Sequence, residues 1–161
     1  MPPKYSLPEC ERRFLIAALP PLTGAGRLIE DRYLTGSRLR LRRETEADGT
    51  IGIWKIARKY GATGPGVEPM TNLYLTAGEH ALLATLPGVD VVKRRHDMWV
   101  GEERYVVDLF EGPLAGRMIA EIEVADPASL WALTPPDWCG REITGDAAYA
   151  GATLARRGWP D

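Results

Sequence analysis

The chain is poor in sulfur and in imidazole: 161 residues contain two cysteines, Cys10 and Cys139, and two histidines, His80 and His96. The cysteines lie far apart without a C-x-x-C or zinc-type spacing, which excludes a disulfide framework and a metal knuckle and points to a reducing compartment. Neither histidine has a histidine partner, so any metal must be held by oxygen. Long apolar runs are also missing. The most apolar early stretch, Phe14 to Leu22, is interrupted by Pro20 and Pro21, is too short to span a bilayer and follows Glu9 and Glu11 rather than a basic leader. A cytoplasmic protein that does not enter a membrane is expected. Neither sign of charge dominates, since 20 basic and 22 acidic side chains leave a formal −2, so no global field draws nucleic acid or an anionic surface. With no repeat, low-complexity tract or linker, residues 1–161 read as one domain.

Two-residue alternation fills the first two-thirds of the chain, the pleat period of strands. Strands are expected over Pro8 to Ala17, Arg27 to Leu34, Arg38 to Glu44, Ile51 to Lys59, Asn72 to Leu75, Val89 to His96, Arg104 to Phe110 and Met118 to Val124. Glycine-bearing turns separate several of them. Thr76 with Glu79 resembles a capping box ahead of the apolar face Ala81, Leu82, Leu83 and Leu86. Asp126 with Pro127 opens a second short helix, and Asp146 a third that runs to about Arg157, with Gly158 just beyond. The fold class is α+β with strands in the majority.

The polar faces of these strands are ordered. Glu9, Glu11 and Arg13 share a face, as do Arg38, Arg40 and Arg42; Lys93 alternates with Arg95, and Glu121 with Glu123. A solvated sheet face accounts for any one such pair. It does not account for four strands with charges stacked at period two while Phe14, Ile16, Leu39, Leu41, Ile122 and Val124 face the other way. Like charges two apart repel, so a ligand or a counter-charged strand across a cavity must compensate them. A polar-lined barrel with helices outside satisfies both faces. Lys55 and Asp108 complete the charged set. Clustered carboxylates without histidine suit a hard cation such as Mg²⁺ or Mn²⁺, and arginines suit bidentate contact with phosphate.

These residues resemble the CYTH superfamily, the triphosphate tunnel metalloenzymes. Glu9-Cys10-Glu11-Arg12-Arg13 is similar to the amino-terminal E-x-E-x-K signature with arginine in place of lysine. Tyr33-Leu34, Leu39 to Arg42, Lys55, Lys93-Arg94-Arg95, Tyr105 to Phe110, Glu121-Ile122-Glu123 and Pro135 to Asp146 with Tyr149 follow in the family's order. The resemblance implies an eight-stranded antiparallel tunnel barrel, clad by a few helices, that hydrolyses a triphosphate compound, inorganic triphosphate first, with Mg²⁺ or Mn²⁺. It implies metal ligation by Glu9, Glu11, Asp108, Glu121 and Glu123, and phosphate binding by Arg38, Arg40, Arg42, Lys55, Lys93 and Arg95. A slip of two residues would make Arg38 and Arg40, rather than Arg40 and Arg42, the paired arginines. Arg13 and Tyr33 fall at catalytic positions, but a guanidinium stays protonated, so Arg13 keeps binding charge without base chemistry and activity is expected to be reduced.

Two other departures accompany Arg13. The strand after Pro65 offers Thr71, Asn72 and Tyr74 where acidic residues are expected, and the segment before the last helix reads Ala148, Tyr149, Ala150 and Gly151. Three alternatives stay open at this level: a non-catalytic polyphosphate- or nucleotide-binding module, a cyclase acting on ATP, and an RNA-binding barrel.

Overall fold

A computed structural model describes residues 2–161. Nine strands form one antiparallel sheet: β1 (Leu7–Ile16), β2 (Arg27–Leu34), β3 (Leu39–Thr45), β4 (Ile51–Lys59), β5 (Val67–Tyr74), β6 (Gly88–Val100), β7 (Glu103–Phe110), β8 (Met118–Val124) and β9 (Cys139–Glu142). Their order is β5-β4-β3-β2-β6-β7-β8-β1-β9, and a further pairing of β5 with β1 closes the first eight into a barrel. The ninth strand, unforeseen in the sequence because its four residues show no alternation, pairs with β1 at Phe14 and Ile16.

Closure happens at an unpromising place. Pro8 of β1 stands opposite Pro69 of β5. The Pro69 carbonyl turns away from β1 to accept the Tyr60 N–H at 3.0 Å, so the two prolines face each other at a position where the β1–β5 ladder needs no N–H. Pro69 also hides β5 from pattern reading, and the strand begins at Val67 rather than at Asn72. The turn before it ends at Gly66 (φ +68°), whose carbonyl accepts the Glu11 N–H at 2.9 Å. A Cβ there would stand 2.9 Å from the Glu11 carbonyl oxygen, so glycine is required both for the turn and for the approach.

Helix α1 (Ala77–Leu83) starts with the expected capping box of Thr76 and Glu79, and α2 (Pro127–Ala132) is capped by Asp126. The third helical segment divides. Asp146 caps a 3₁₀ turn (Ala147–Tyr149), the chain extends at Ala150, and α3 (Gly151–Arg157) follows. Rather than cladding the barrel, α3 stoppers one end of it. Leu154 packs with Val91, Phe110, Ile119, Ile143 and Tyr149, and Trp159 stacks edge-on against both Phe110 and Tyr149. A second cluster of Phe14, Tyr105, Ala120 and Ile122, backed by Trp138, lies on the outer face of β1, β7 and β8. No helix among the described residues is long and apolar enough to cross a membrane.

Candidate functional site

Alternate residues of the eight barrel strands point inward around a cavity of about 880 Å³. Glu9, Glu11, Arg13, Tyr33, Arg38, Arg40, Arg42, Lys55, Lys93, Arg95, Glu121 and Glu123 all line it. Period-two reading therefore brings together every expected site residue except one. Asp108 is buried beneath the lining, with no exposed surface, and its carboxylate is fully engaged: Lys93 donates to it at 2.5 Å and Arg95 donates twice at 2.7 Å. Through these bonds it fixes the positions of two of the lining cations.

The three arginines of the β3 face divide by depth. Arg42 is buried and donates Nε and Nη2 to the two oxygens of Asp31 at 2.6 and 2.7 Å. Arg40 reaches Asp31 only at 3.7 Å, and its buried Nε–H has no hydrogen-bond partner. Arg38 precedes the strand at the rim, where it donates to the Tyr60 carbonyl at 3.2 Å. All three share one face; Arg42 is tied down and Arg40 carries the unpartnered donor.

Glu121 joins the two halves of the wall. It accepts from Arg95 at 2.6 Å and from Arg13 at 3.1 Å, while Arg13 also donates to the Tyr149 carbonyl at 3.0 Å. Burial opposes its ionisation, yet Lys93, Arg95 and Arg13 together hold its carboxyl well below the usual range. Burial likewise opposes ionisation of Asp31, and Arg42 and Arg40 hold it well down. Lys93 and Lys55 are both lowered, chiefly by burial. The Tyr33 phenol is raised by burial and by the negative Asp31, so it is a neutral donor.

Further charged residues of the lining include Arg27, Asp31, Glu44, Lys59 and Glu68. Glu68 supplies the acidic side chain that β5 seemed to lack. Lys59 sits among Glu9, Glu11 and Glu68, 3.4 Å from Glu11, 3.7 Å from Glu68 and in contact with Glu9. Three of them had a signal, since Lys59 is four residues from Lys55, Asp31 two from Tyr33 and Glu44 two from Arg42, all even spacings on one strand.

The acidic side of the cavity suits a hard cation in its donor chemistry. Glu11 is raised by burial and, against the pull of Lys59, by Glu121 and Glu9; Glu123 is raised by burial and by Glu9. Glu9, Glu11 and Glu68 surround the single ammonium of Lys59, so carboxylates outnumber the cation among them. Among the described residues no three His, Cys, Asp or Glu side chains form a ready-made metal cage. Mg²⁺ needs none, because it keeps several waters and binds through one or two carboxylates plus substrate phosphates.

No protein-family model matches the chain. It is 29% identical over 152 residues to the inorganic triphosphatase of Nitrosomonas europaea, covering 91% of this chain and 96% of that one. It is 44% identical over 50 residues, 31% of each chain, to the inorganic triphosphatase of Acetivibrio thermocellus. Among solved structures, the inorganic triphosphatase NE1496 superposes with a TM-score of 0.59 at 23% identity, covering 91% of this chain and 93% of that one. HpAC1 from Hippeastrum, described as a putative adenylyl cyclase with a dominant triphosphatase activity, superposes with a TM-score of 0.52 at 10% identity, covering 95% and 97%. These solved structures share the barrel fold. Along most of its length the chain is similar in sequence to the inorganic triphosphatase of Nitrosomonas europaea, and it shares the barrel fold of the solved structures.

Proposed function

We propose that residues 1–161 act as one unit that hydrolyses a triphosphate compound, inorganic triphosphate first, in the barrel cavity with Mg²⁺ or Mn²⁺. The observation that carries this reading is Arg40, which lines the cavity across from crowded carboxylates and whose buried Nε–H has no hydrogen-bond partner. A buried guanidinium with a spare N–H is a site for an anion oxygen. Arg40, Lys55, Lys93 and Arg95 would bind the phosphates with Arg38 at the rim, while Arg42 is fixed by Asp31. Glu9, Glu11 and Glu123 would hold the cation, beside a Glu121 already shared by Arg13 and Arg95. When bound, the ion would neutralise phosphate charge and polarise the terminal phosphoryl group.

The chain's own residues do the rest. Fixed cations meet the charge that spreads over the phosphoryl oxygens in the transition state. Water oxygen bonds to the terminal phosphorus, the bridging P–O bond breaks, and orthophosphate and pyrophosphate leave with the water's proton released to solvent. Arg13 contributes charge and holds Glu121; Tyr33, kept protonated, donates. The names of the relatives support this substrate. The free thiols Cys10 and Cys139 fit a cytoplasmic setting.

The experiment is phosphate release from tripolyphosphate, ATP and thiamine triphosphate, each with Mg²⁺, Mn²⁺ or EDTA, alongside Glu123→Gln. The expected result is release that is fastest from tripolyphosphate, abolished by EDTA and lowered in Glu123→Gln. Binding without release would make the chain a binding module, and cyclic AMP from ATP would make it a cyclase.

A further inference from the structure

The rim beside α3 carries a second concavity of about 590 Å³, lined by Gly36, Ser37, Arg38, Leu39, Arg58 and Arg156. Ser37, Arg38, Leu39 and Arg156 also line the tunnel, so the two spaces are continuous. Three guanidiniums and no carboxylate face this vestibule. Among the described residues, five of the 16 arginines have no carboxylate partner, and Arg117, one of them, stacks on Trp159. Of the remaining four, Arg38, Arg58 and Arg156 meet here. Tyr60 arranges two of them: its carbonyl accepts from Arg38 at 3.2 Å, and its ring lies 5.2 Å under the Arg58 guanidinium.

Elsewhere in the tunnel the deep arginines are matched by acids, as Arg42 is by Asp31 and Arg95 by Asp108 and Glu121. In the vestibule the three guanidiniums are exposed and no carboxylate faces them, so their donors are open to an anion. The basic track is also longer than a triphosphate requires. Arg42, Arg40 and Arg38 alternate along β3 at roughly 6.6–6.8 Å per pair of residues, so they span about 13 Å before Arg58 and Arg156 extend the track outward. A chain with only two bridging oxygens, seated against Arg40 and Lys55, leaves the vestibule unused. A nucleoside end would place a neutral base against three unbalanced charges, with Leu39 as the one apolar side chain of the lining.

We propose that the vestibule is a subsite for the fourth and later phosphates of a linear inorganic polyphosphate, so that the protein binds chains longer than triphosphate in preference to triphosphate itself. This rests on the reading of the tunnel as a triphosphate site. Guanidinium pairs grip successive phosphate groups through paired oxygens, and each added phosphate brings one more negative charge outward along the track.

The test is titration of the purified protein with tripolyphosphate, tetrapolyphosphate and a longer polyphosphate, measuring Kd and kcat/KM, for the wild type, Arg58→Ala, Arg156→Ala and the double variant. Arg157→Ala is the control, since Arg157 is equally exposed and unpaired but lies outside the vestibule. Each vestibule arginine is expected to contribute about threefold, the range of an exposed ion pair. The double variant then weakens the longer chains about tenfold and tripolyphosphate less than twofold, while Arg157→Ala changes neither. Equal losses for all chain lengths, an equal effect of Arg157→Ala, no preference for longer chains in the wild type, or a vestibule effect on ATP as large as on tetrapolyphosphate would each overturn the proposal. If the chain-length pattern appears in Kd but nothing is hydrolysed, the triphosphatase reading fails and the subsite stands. If tripolyphosphate is hydrolysed without the pattern, the reverse holds.

Discussion

Asp31 holds Arg42 through both carboxylate oxygens in a buried pair, which makes Arg42 part of the barrel wall. Its neighbour Arg40, two residues away on the same face, keeps a buried N–H with no partner. Identical side chains thus do different work because one acid has two oxygens and the closer guanidinium takes both.

The division predicts opposite phenotypes. Arg42→Met leaves the buried Asp31 without a hydrogen-bonded cation, with Arg40 at 3.7 Å as its nearest counter-charge, and breaking such a pair costs about 3–5 kcal/mol. Arg40→Met removes an unsatisfied donor and leaves Asp31 paired, so urea unfolding is expected to change by less than about 1 kcal/mol. Its cost appears in kcat/KM for tripolyphosphate, which should fall by about 10²–10³, the magnitude of a lost donor to a charged transition state. Destabilisation by Arg40→Met with normal kcat/KM would contradict the assignment.

Gly151 is fixed by Tyr33. A Cβ at position 151 would stand 1.9 Å from the Tyr33 hydroxyl, closer than any side chain tolerates. Gly151→Ala should therefore lower stability by about 1–3 kcal/mol through overpacking, or roughly 2–4 °C in Tm for each kcal/mol. Tyr33→Phe removes the atom in closest conflict, so the double variant should unfold at a higher temperature than Gly151→Ala alone. Full additivity of the two changes would show that residue 151 and Tyr33 do not meet.

Acid should unfold the protein in a defined window. Asp31, Asp108 and Glu121 have lowered pKa values: burial resists their charge, and the adjoining arginines and lysines overcome it. A carboxylate with a depressed folded pKa contributes stability above its ordinary value of about 4 and loses it as pH falls towards the folded one. Glu11 and Glu123, raised by burial and crowding, act with the opposite sign, so protonating them relieves repulsion just above that range. The unfolding free energy should hold or rise slightly from pH 7 to about 5 and drop steeply below about 4. A curve still flat at pH 3 would show that the buried acids are not ionised in the folded protein.

Most of the barrel was legible because its interior is charged. Alternation exposed seven of the eight barrel strands to within a few residues, and the same alternation placed twelve expected site residues around the cavity. The exceptions have physical causes. β5 carries Pro69 opposite Pro8, which breaks the expected pattern and conceals both the start of the strand and Glu68. Asp108 sits in an alternating segment like its neighbours, but alternation alone does not show that its carboxylate is buried beneath Lys93 and Arg95. Helix α3 was visible as a helix, whereas its place across the barrel end depends on Leu154 meeting Val91, Phe110 and Ile119, a contact between distant segments.

Lys59 gives the acidic side its own test. Its ammonium stands among Glu9, Glu11 and Glu68; burial opposes its charge, and Glu11 and Glu9 raise its pKa nonetheless. In the free protein it is the internal cation of that cluster. Lys59→Gln should lower Tm without divalent ions, because the carboxylates then face one another uncompensated. Added Mg²⁺ binds the folded state alone and stabilises it by RT ln(1 + [L]/Kd), so its Tm increment should be larger in Lys59→Gln than in the wild type. The increment should shrink again in Lys59→Gln combined with Glu123→Gln, which removes one of the crowded charges. Equal increments in all three proteins would mean that Mg²⁺ acts somewhere other than at these carboxylates, and the cation would have to be sought outside the tunnel.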